Sequence, residues 1–307
     1  ITLKGKKLVQ QIIPEWQKAM NEIKDITMTE YRKDDAISNH ALQIFKDNPA
    51  SYIWNLNAPS DPNKVTTSDK GTALHALLLE PETYDDLVVV ADVKGRQTQA
   101  FAKLQLENPN NIVLTEIEAQ EVRIMADSAT KHPVFNELLK MNGQCEASVF
   151  VTCTETGLQL KARPDKICYS DDKVLYCDVK TTASIDDWRS EQQWKNPLFA
   201  FGYGFTAAYY LHVGSIYHNQ ELTEYIFPIV QTSAALGRYP VDVFTISKDD
   251  LIALGFWDEM LSTLKHFKHC KDNNEFNTYS QFPRFDHLRQ DDFIDEVEVT
   301  FTGGDNE

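Results

Sequence analysis

Two short acidic elements hold the residues of this chain best suited to chemistry: Arg163-Pro164-Asp165 and Asp178-Val179-Lys180, with twelve residues between the aspartates. The second belongs to Leu175-Tyr176-Cys177-Asp178-Val179-Lys180-Thr181-Thr182, an apolar and β-branched run that reads as a strand. Side chains two apart on a strand share a face, so Asp178 and Lys180 point the same way. The first element follows another strand-like run, Gly157 to Ala162, and Ser170-Asp171-Asp172-Lys173 between them has turn composition. A hairpin centred on Asp171-Asp172 pairs residue n with residue 343 − n. That register sets Asp165 opposite Asp178, and Arg163 opposite Lys180.

Directly opposed residues on an antiparallel pair have Cβ atoms about 4.5–5.5 Å apart, where like charges repel. A hard divalent cation removes the conflict, because Mg²⁺ is typically held by one or two carboxylates together with substrate phosphate and water. Two carboxylates and a lysine suit metal-assisted phosphodiester hydrolysis. The metal polarises a phosphoryl oxygen and lowers the pKa of bound water, while the ammonium stabilises charge in the transition state. The same pattern also fits a solvated hairpin whose Asp and Lys lie on its wet face.

Other segments bear on that choice. The Pro-Asp…Asp-X-Lys arrangement resembles the PD-(D/E)XK nuclease signature, and the chain from about Ile37 to Tyr239 resembles the RecE exonuclease (exodeoxyribonuclease VIII) branch, whose nuclease domain is C-terminal. Ile37-Ser38-Asn39-His40-Ala41-Leu42 with Asn48-Pro49-Ala50 is similar to the family's entry helix. Gly71-Thr72-Ala73-Leu74-His75-Ala76-Leu77-Leu78-Leu79-Glu80-Pro81-Glu82 is similar to its histidine motif. Glu146-Ala147-Ser148 leads into the strand pair, and Tyr203-Gly204-Phe205-Thr206-Ala207-Ala208-Tyr209-Tyr210 lies where relatives carry a Gln-x-x-x-Tyr helix.

The resemblance implies roles. His75, Asp165 and Asp178 would be side-chain metal ligands, Val179 would offer its backbone carbonyl, and Lys180 would position or activate the attacking water. Tyr210 would contact substrate or support the site. Lys161, Arg163, Glu146, Thr182 and Thr206 are further candidates for DNA contact or site support. Thr206 departs from the pattern, since relatives carry glutamine there, although a hydroxyl can still donate one hydrogen bond. The implied cofactor is Mg²⁺, with Mn²⁺ as a substitute. The implied activity is ATP-independent degradation of linear double-stranded DNA from its 5′ ends, leaving a 3′ strand for a RecT-like annealing protein. The implied assembly is a toroidal tetramer.

Length and composition set the frame. A chain of 307 residues can hold one large α/β domain or two small ones, and 42% apolar residues allow a substantial core. No run of eighteen apolar residues predicts a membrane span. The expected organisation is an N-terminal segment at 1–30, a nuclease domain at 31–275 and an acidic tail at 276–307. The first residue is Ile1 and no cleavable signal is visible, so a piece of a longer protein is expected. Five cysteines form no CxxC, which fits a reducing cytoplasm and argues against an iron–sulfur cluster near the C-terminus, where only Cys270 lies.

Thirty basic against 46 acidic residues leave a net charge of −16, which argues against a simple surface binder of nucleic acid. Distribution matters more than the sum. Lys161, Arg163, Lys166, Lys173, Lys180, Arg189 and Lys195 crowd around the acids, whereas Asp291-Asp292, Asp295-Glu296, Glu298 and Asp305 to Glu307 concentrate negative charge in the tail. A cyclic homo-oligomer would gather the basic faces around one channel.

Periodicity predicts helices over 8–24, 37–46 and 70–80, the last capped by Ser68 or Asp69, with His75 at the edge of a Leu74, Leu77, Leu78 stripe. An amphipathic helix is predicted over 116–141, interrupted at Pro133, and further helices at 198–212 and 248–271. Strands are predicted at 147–153, 158–168, 174–181, 223–232 and 241–246. This mixture gives an α/β layer fold, and the resemblance implies a restriction-endonuclease-like central mixed β-sheet flanked by helices.

No GxxxxGK[ST], GxSxG or HExxH occurs, which removes a phosphate loop and the commonest hydrolase signatures. His266, His269 and Cys270 could share a helix face, but no second pair of zinc ligands accompanies them. Trp188, Trp194, Phe199, Phe201 and Tyr203 serve either a core or base stacking. Two rival functions stay open beside the exonuclease: an endonuclease of the same superfamily, and a non-catalytic DNA-binding scaffold with a decayed site.

Overall fold

A long antiparallel hairpin, bent in its middle, organises the computed structural model, which describes residues 21–56, 58, 69–170 and 173–276. Strand β5 (Gly143–Cys145) pairs with β8 (Lys166–Tyr169), and β6 (Ser148–Thr152) pairs with β7 (Gln159–Ala162). Both pairs share one register, with partner numbers adding to 311: Gly143 faces Cys168 and Val149 faces Ala162. Gly157, at φ +70°, makes the left-handed turn that closes the hairpin's tip. The bend falls where Glu146 adopts φ +50° across from Asp165 and next to the level of Pro164, which has no N–H to give the ladder.

Past the bend the two halves enter different sheets. The tip joins β1 (Glu22–Lys24) and β2 (Ile37–Ser38) in the order β1-β6-β7-β2. The base joins the central mixed sheet in the order β10 (Lys180–Thr182), β11 (Glu224–Gln231), β9 (Val174–Cys177), β8 and β5, with β12 (Val241–Ser247) on β11. There β9 (Val174–Cys177) pairs antiparallel with β8 in the register that adds to 343, from Lys166 with Cys177 to Tyr169 with Val174, as the sequence predicts. The turn residues Asp171 and Asp172 lie outside the described residues.

Strand β11 (Glu224–Gln231) accepts β9 and β10 (Lys180–Thr182) along one edge in a single parallel register, Tyr176 with Tyr225 and Lys180 with Ile229. Asp178 and Val179 interrupt an otherwise continuous strand. This corrects one expectation. Arg163 does not face Lys180, because Pro164 ends the β8 pairing and Lys180 has moved to β11.

Helices cover both faces of the sheet. The run Tyr225-Ile226-Phe227-Pro228-Ile229-Val230 is buried throughout, as a central strand must be when both faces are covered. Tyr225, Phe227 and Ile229 pack into the core shared with Tyr203–His218 and Phe256–Asn273, whereas Val230 packs into the core shared with Asp69–Leu79 and Glu116–Lys131. We number the helices used below α1 (Met28–Lys33), α2 (Asn39–Asp47), α3 (Asp69–Leu79), α4 (Glu116–Lys131), α5 (Pro133–Lys140), α6 (Pro197–Ala200), α7 (Tyr203–His218) and α8 (Phe256–Asn273). The interruption at Pro133 is as predicted, since proline opens α5 and a Thr115–Glu118 capping box opens α4.

Several boundaries differ from the sequence reading. The helix predicted at 248–271 is two, Lys248–Ala253 and α8, divided by Gly255 at φ +83°. Glu22–Lys24 is a strand bound to β6, and so belongs with that sheet rather than with a separate N-terminal helix; residues 8–20 of that predicted helix lie outside the described residues, as do Ser68 and residues 277–307 of the acidic tail. A small parallel sheet of β3 (Val88–Ala91) and β4 (Ile112–Thr115) is unpredicted.

Candidate active site

The bend and the strand interruption meet at one level of the sheet, and they bring three carboxylates into a row. In the two registers Asp165 stands opposite both Glu146 and Asp178, one on each neighbouring strand. Side chains and backbone interlock there in place of a regular ladder. Glu146 N donates to Asp165 O at 3.0 Å, Asp165 N to Asp178 Oδ1 at 3.2 Å, and Val179 N to Asp165 Oδ2 at 2.6 Å. Each bond orients an acid whose charge the next one repels.

Cationic groups surround the row. Lys180 Nζ lies 3.2 Å from Asp178 Oδ2, as two residues on one strand face allow. From α3, His75 Nδ1 approaches Asp165 Oδ2 at 3.4 Å. Arg163 Nε donates to Glu146 Oε2 at 3.0 Å, and its Nη1 donates to Ser148 Oγ at 2.7 Å and to Ile26 O at 2.8 Å.

The charges respond to one another. Burial and the Asp165 charge push the Asp178 carboxyl above the usual carboxylate range, against the pull of Lys180. Burial opposes ionisation of Asp165 too, but His75 and Lys180 outweigh it and hold that carboxyl low. Burial and Asp165 raise Glu146, with Arg163 opposing. Burial would depress Lys180, yet Asp178 and Asp165 keep it above the ordinary lysine value. Lys180 is therefore a fixed cation at neutral pH.

His75, Glu146 and Asp165 each offer a ligand atom within 4.8 Å of the others, and among the described residues they are the only such group. One imidazole and two carboxylates form a borderline-hard donor set that fits a divalent cation. Like charges opposed at Asp165 are the conflict such an ion resolves. A left-handed backbone at a non-glycine residue, Glu146, is the kind of strain that surrounding structure retains at functional sites. Asp178 sits beside this group, 4% exposed, with its oxygens engaged by Asp165 N and Lys180.

The group opens into a cleft of about 890 Å³ lined by Arg32, His75, Glu146, Asp165, Lys180 and Tyr203, among others. Tyr203, at the start of α7, holds its ring centroid 5.5 Å from Lys180 Nζ. Arg32 and Tyr203 have no counterpart in the sequence-derived site. Helix α1, which carries Arg32, was not predicted, and Tyr203 reads there only as a core or stacking aromatic.

Other predicted residues have structural partners. Lys161 is buried and donates to Tyr31 O at 2.7 Å and Asp34 O at 2.6 Å, so DNA contact is not open to it; it ties α1 to β7. Thr206 is buried as well, accepting from Asn39 and Gln43 of α2 at 3.0 and 3.1 Å. Tyr210 donates to Arg163 O at 3.4 Å and lines a neighbouring cleft with Lys161 rather than this one. Thr182 Oγ1 donates to Ser184 O at 3.0 Å. The cluster of bases is likewise divided. Lys166 donates to Leu139 O at 2.5 Å, Lys173 pairs with Glu224, and Arg189 with Asp242, so the cluster is not one open basic face.

Comparison with known proteins now adds to this geometry. A family model described as a PDDEXK-like domain of unknown function (DUF3799) matches residues 38–282. The chain belongs to this PDDEXK-like family. The matched span contains α2, both acidic elements, α3 with His75, and α7. No curated protein matches the chain. Among solved structures, a chain described as "Putative exonuclease" from Eubacterium rectale superposes with a TM-score of 0.56 at 13% identity, covering 87% of this chain and 94% of that one. That likeness shows the fold.

Two weaker likenesses, to SSO0001 (TM-score 0.27, 12% identity, 78% and 87% of the two chains) and to protein VC1899 from Vibrio cholerae (0.24, 11%, 81% and 59%), carry no argument. The PDDEXK-like domain thus has a mixed α/β core of the expected class. Among its described residues no helix is long and apolar enough to cross a membrane.

Proposed function

We propose that this PDDEXK-like domain is a divalent-metal-dependent deoxyribonuclease that degrades linear double-stranded DNA from its 5′ ends without ATP. Mg²⁺ is the intended ion and Mn²⁺ its substitute. The observation that carries the reading is the group His75, Glu146 and Asp165 in an open cleft that Lys180 also lines, with the buried Asp178 beside it and paired to Lys180. His75, Glu146 and Asp165 would hold the ion, with Asp178 and the Val179 carbonyl as the further ligands. The ion would supply a Lewis acid for the phosphoryl oxygen and an acidified water. Lys180, held protonated by Asp178 and Asp165, orients the attacking water and stabilises charge on the phosphate in the transition state. Arg163 holds Glu146 in place, and Tyr210 supports Arg163 through its carbonyl.

The product of such digestion, a 3′ single strand, is the substrate of an annealing protein of the RecT type, in the reducing cytoplasm that the cysteines fit. The resemblance to RecE-like exonucleases supports polarity, duplex preference and this partner. Covalently closed circles separate the reading from its rivals. With Mg²⁺ present, linear plasmid is expected to be degraded while closed circular plasmid stays intact. Nicking or linearisation of the circle would identify an endonuclease, and binding without cleavage a scaffold.

A net charge of −16 repels DNA over most of the surface, and several bases near the site are already paired. Enclosure of the duplex by a ring of subunits, most simply a tetramer, would concentrate the remaining cations and retain the strand between cuts. Light scattering on a size-exclusion column at micromolar concentration is expected to give a multiple of the 35.1 kDa chain mass. A mass near 35 kDa with distributive digestion would rule the ring out.

A further inference from the structure

Beside the carboxylate row, a smaller pocket of about 240 Å³ opens among Thr181, Thr182, Trp188, Pro197, Phe201 and Tyr203. Thr181 and Tyr203 also line the larger cleft, so the pocket is a side chamber of the candidate active site. Its walls are aromatic. Trp188 stacks on Tyr203 with centroids 5.6 Å apart and planes at 22°, and Phe201 meets the same tyrosine at 5.9 Å. Trp188 is only 6% exposed, yet its indole N–H has no acceptor among the described residues. Phe201, just past α6, is 65% exposed. A large apolar ring left in water beside a pocket is a cost that a stacking ligand would offset.

We propose that this chamber receives one unstacked nucleobase of the strand being cut, the base next to the scissile phosphate. The proposal rests on the nuclease reading and adds a subsite to it. The chemistry selects a neutral heteroaromatic ring. Phe201 offers an exposed π-face, Tyr203 and the buried Trp188 stacked on it back the pocket, and Asp187 on the same wall disfavours a phosphate. Position agrees. Tyr203 touches both Lys180, through its ring face, and Phe201, so a phosphate at Lys180 has its neighbouring nucleotide within reach of the pocket. Stacking tolerates any base, so the subsite grips the strand without reading its sequence.

The test crosses Phe201→Ala with removal of the base. Single-turnover rates in Mg²⁺ are measured for wild type and variant on end-labelled linear duplex, either intact or carrying one tetrahydrofuran abasic site at successive positions. Phe201→Ala is expected to slow cleavage of intact DNA by about 5–150-fold, the range for loss of one base–aromatic stack. An abasic site at one position beside the cut should slow wild type by a similar factor and the variant no further. Phe201→Trp, which keeps a π-face, should restore both the rate and the sensitivity to the abasic site. Wild-type rates in Phe201→Ala, or losses that multiply, would overturn the pocket while leaving the nuclease reading intact. Wild type that cuts no substrate would overturn both.

Discussion

Asp178→Ala is expected to lower DNA cleavage by at least about 10²–10³-fold, the cost of losing one preorganised stabiliser, while the protein remains folded. Asp178 does two things that no neighbour duplicates. Its Oδ1 accepts from Asp165 N and its Oδ2 lies 3.2 Å from Lys180 Nζ, so it fixes both the central ligand and the cation. Its ionised form is also opposed by burial and by Asp165, so its removal relieves a repulsion even as it leaves Asp165 N without an acceptor. The second effect costs about 1–3 kcal/mol and the first offsets part of it, which keeps the fold. Circular dichroism reads the fold and a thermal melt reads the metal. An ion that binds only native protein adds about 2.7 kcal/mol of stability at 100 times its Kd. Wild type should show that gain with Mg²⁺, and Asp178→Ala should show less. Near-wild-type cleavage by the variant would contradict the site.

Lys180→Ala is expected to separate binding from turnover. Lys180 approaches Asp178 but is not a metal donor, since it is held protonated. The variant should therefore bind metal about as well as wild type by calorimetry and still cut on the order of 10²–10³-fold more slowly. Loss of metal affinity together with activity would make the lysine a structural counter-ion for the acid row. The comparison is sharp because the lysine and Asp178 are two residues apart and share one ion pair.

Much of this site is legible in the primary structure, and the gaps have physical causes. The hairpin that opposes Asp165 and Asp178 follows from a turn-forming Asp171-Asp172 between two β-branched runs, and its register is as predicted from Lys166 to Tyr169. Extrapolating that register three residues past Lys166, to Arg163 and Lys180, fails at Pro164. A prolyl nitrogen cannot continue the ladder, and the strand turns to a different sheet. The same residues carry a signal for Glu146. A turn closed at Gly157 pairs 143–152 with 159–168 and sets Glu146 against Asp165, yet it emerges only when both hairpins are considered together. Lys161 shows the opposite failure. A lysine in a basic run reads as a DNA contact, whereas its ammonium is spent on the carbonyls of Tyr31 in α1 and Asp34 just after it, which no local pattern foretells.

Digestion of end-labelled linear duplex by metal-stripped protein, with Mg²⁺ added back, tests the central claim most directly. The expected result is no release of label in chelator, restoration of cleavage as Mg²⁺ is added, and progressive shortening from the 5′ end. Cleavage undiminished in chelator, or a duplex that is bound yet stays intact at saturating Mg²⁺, would contradict a metal-dependent nuclease built on Asp165, Asp178 and Lys180.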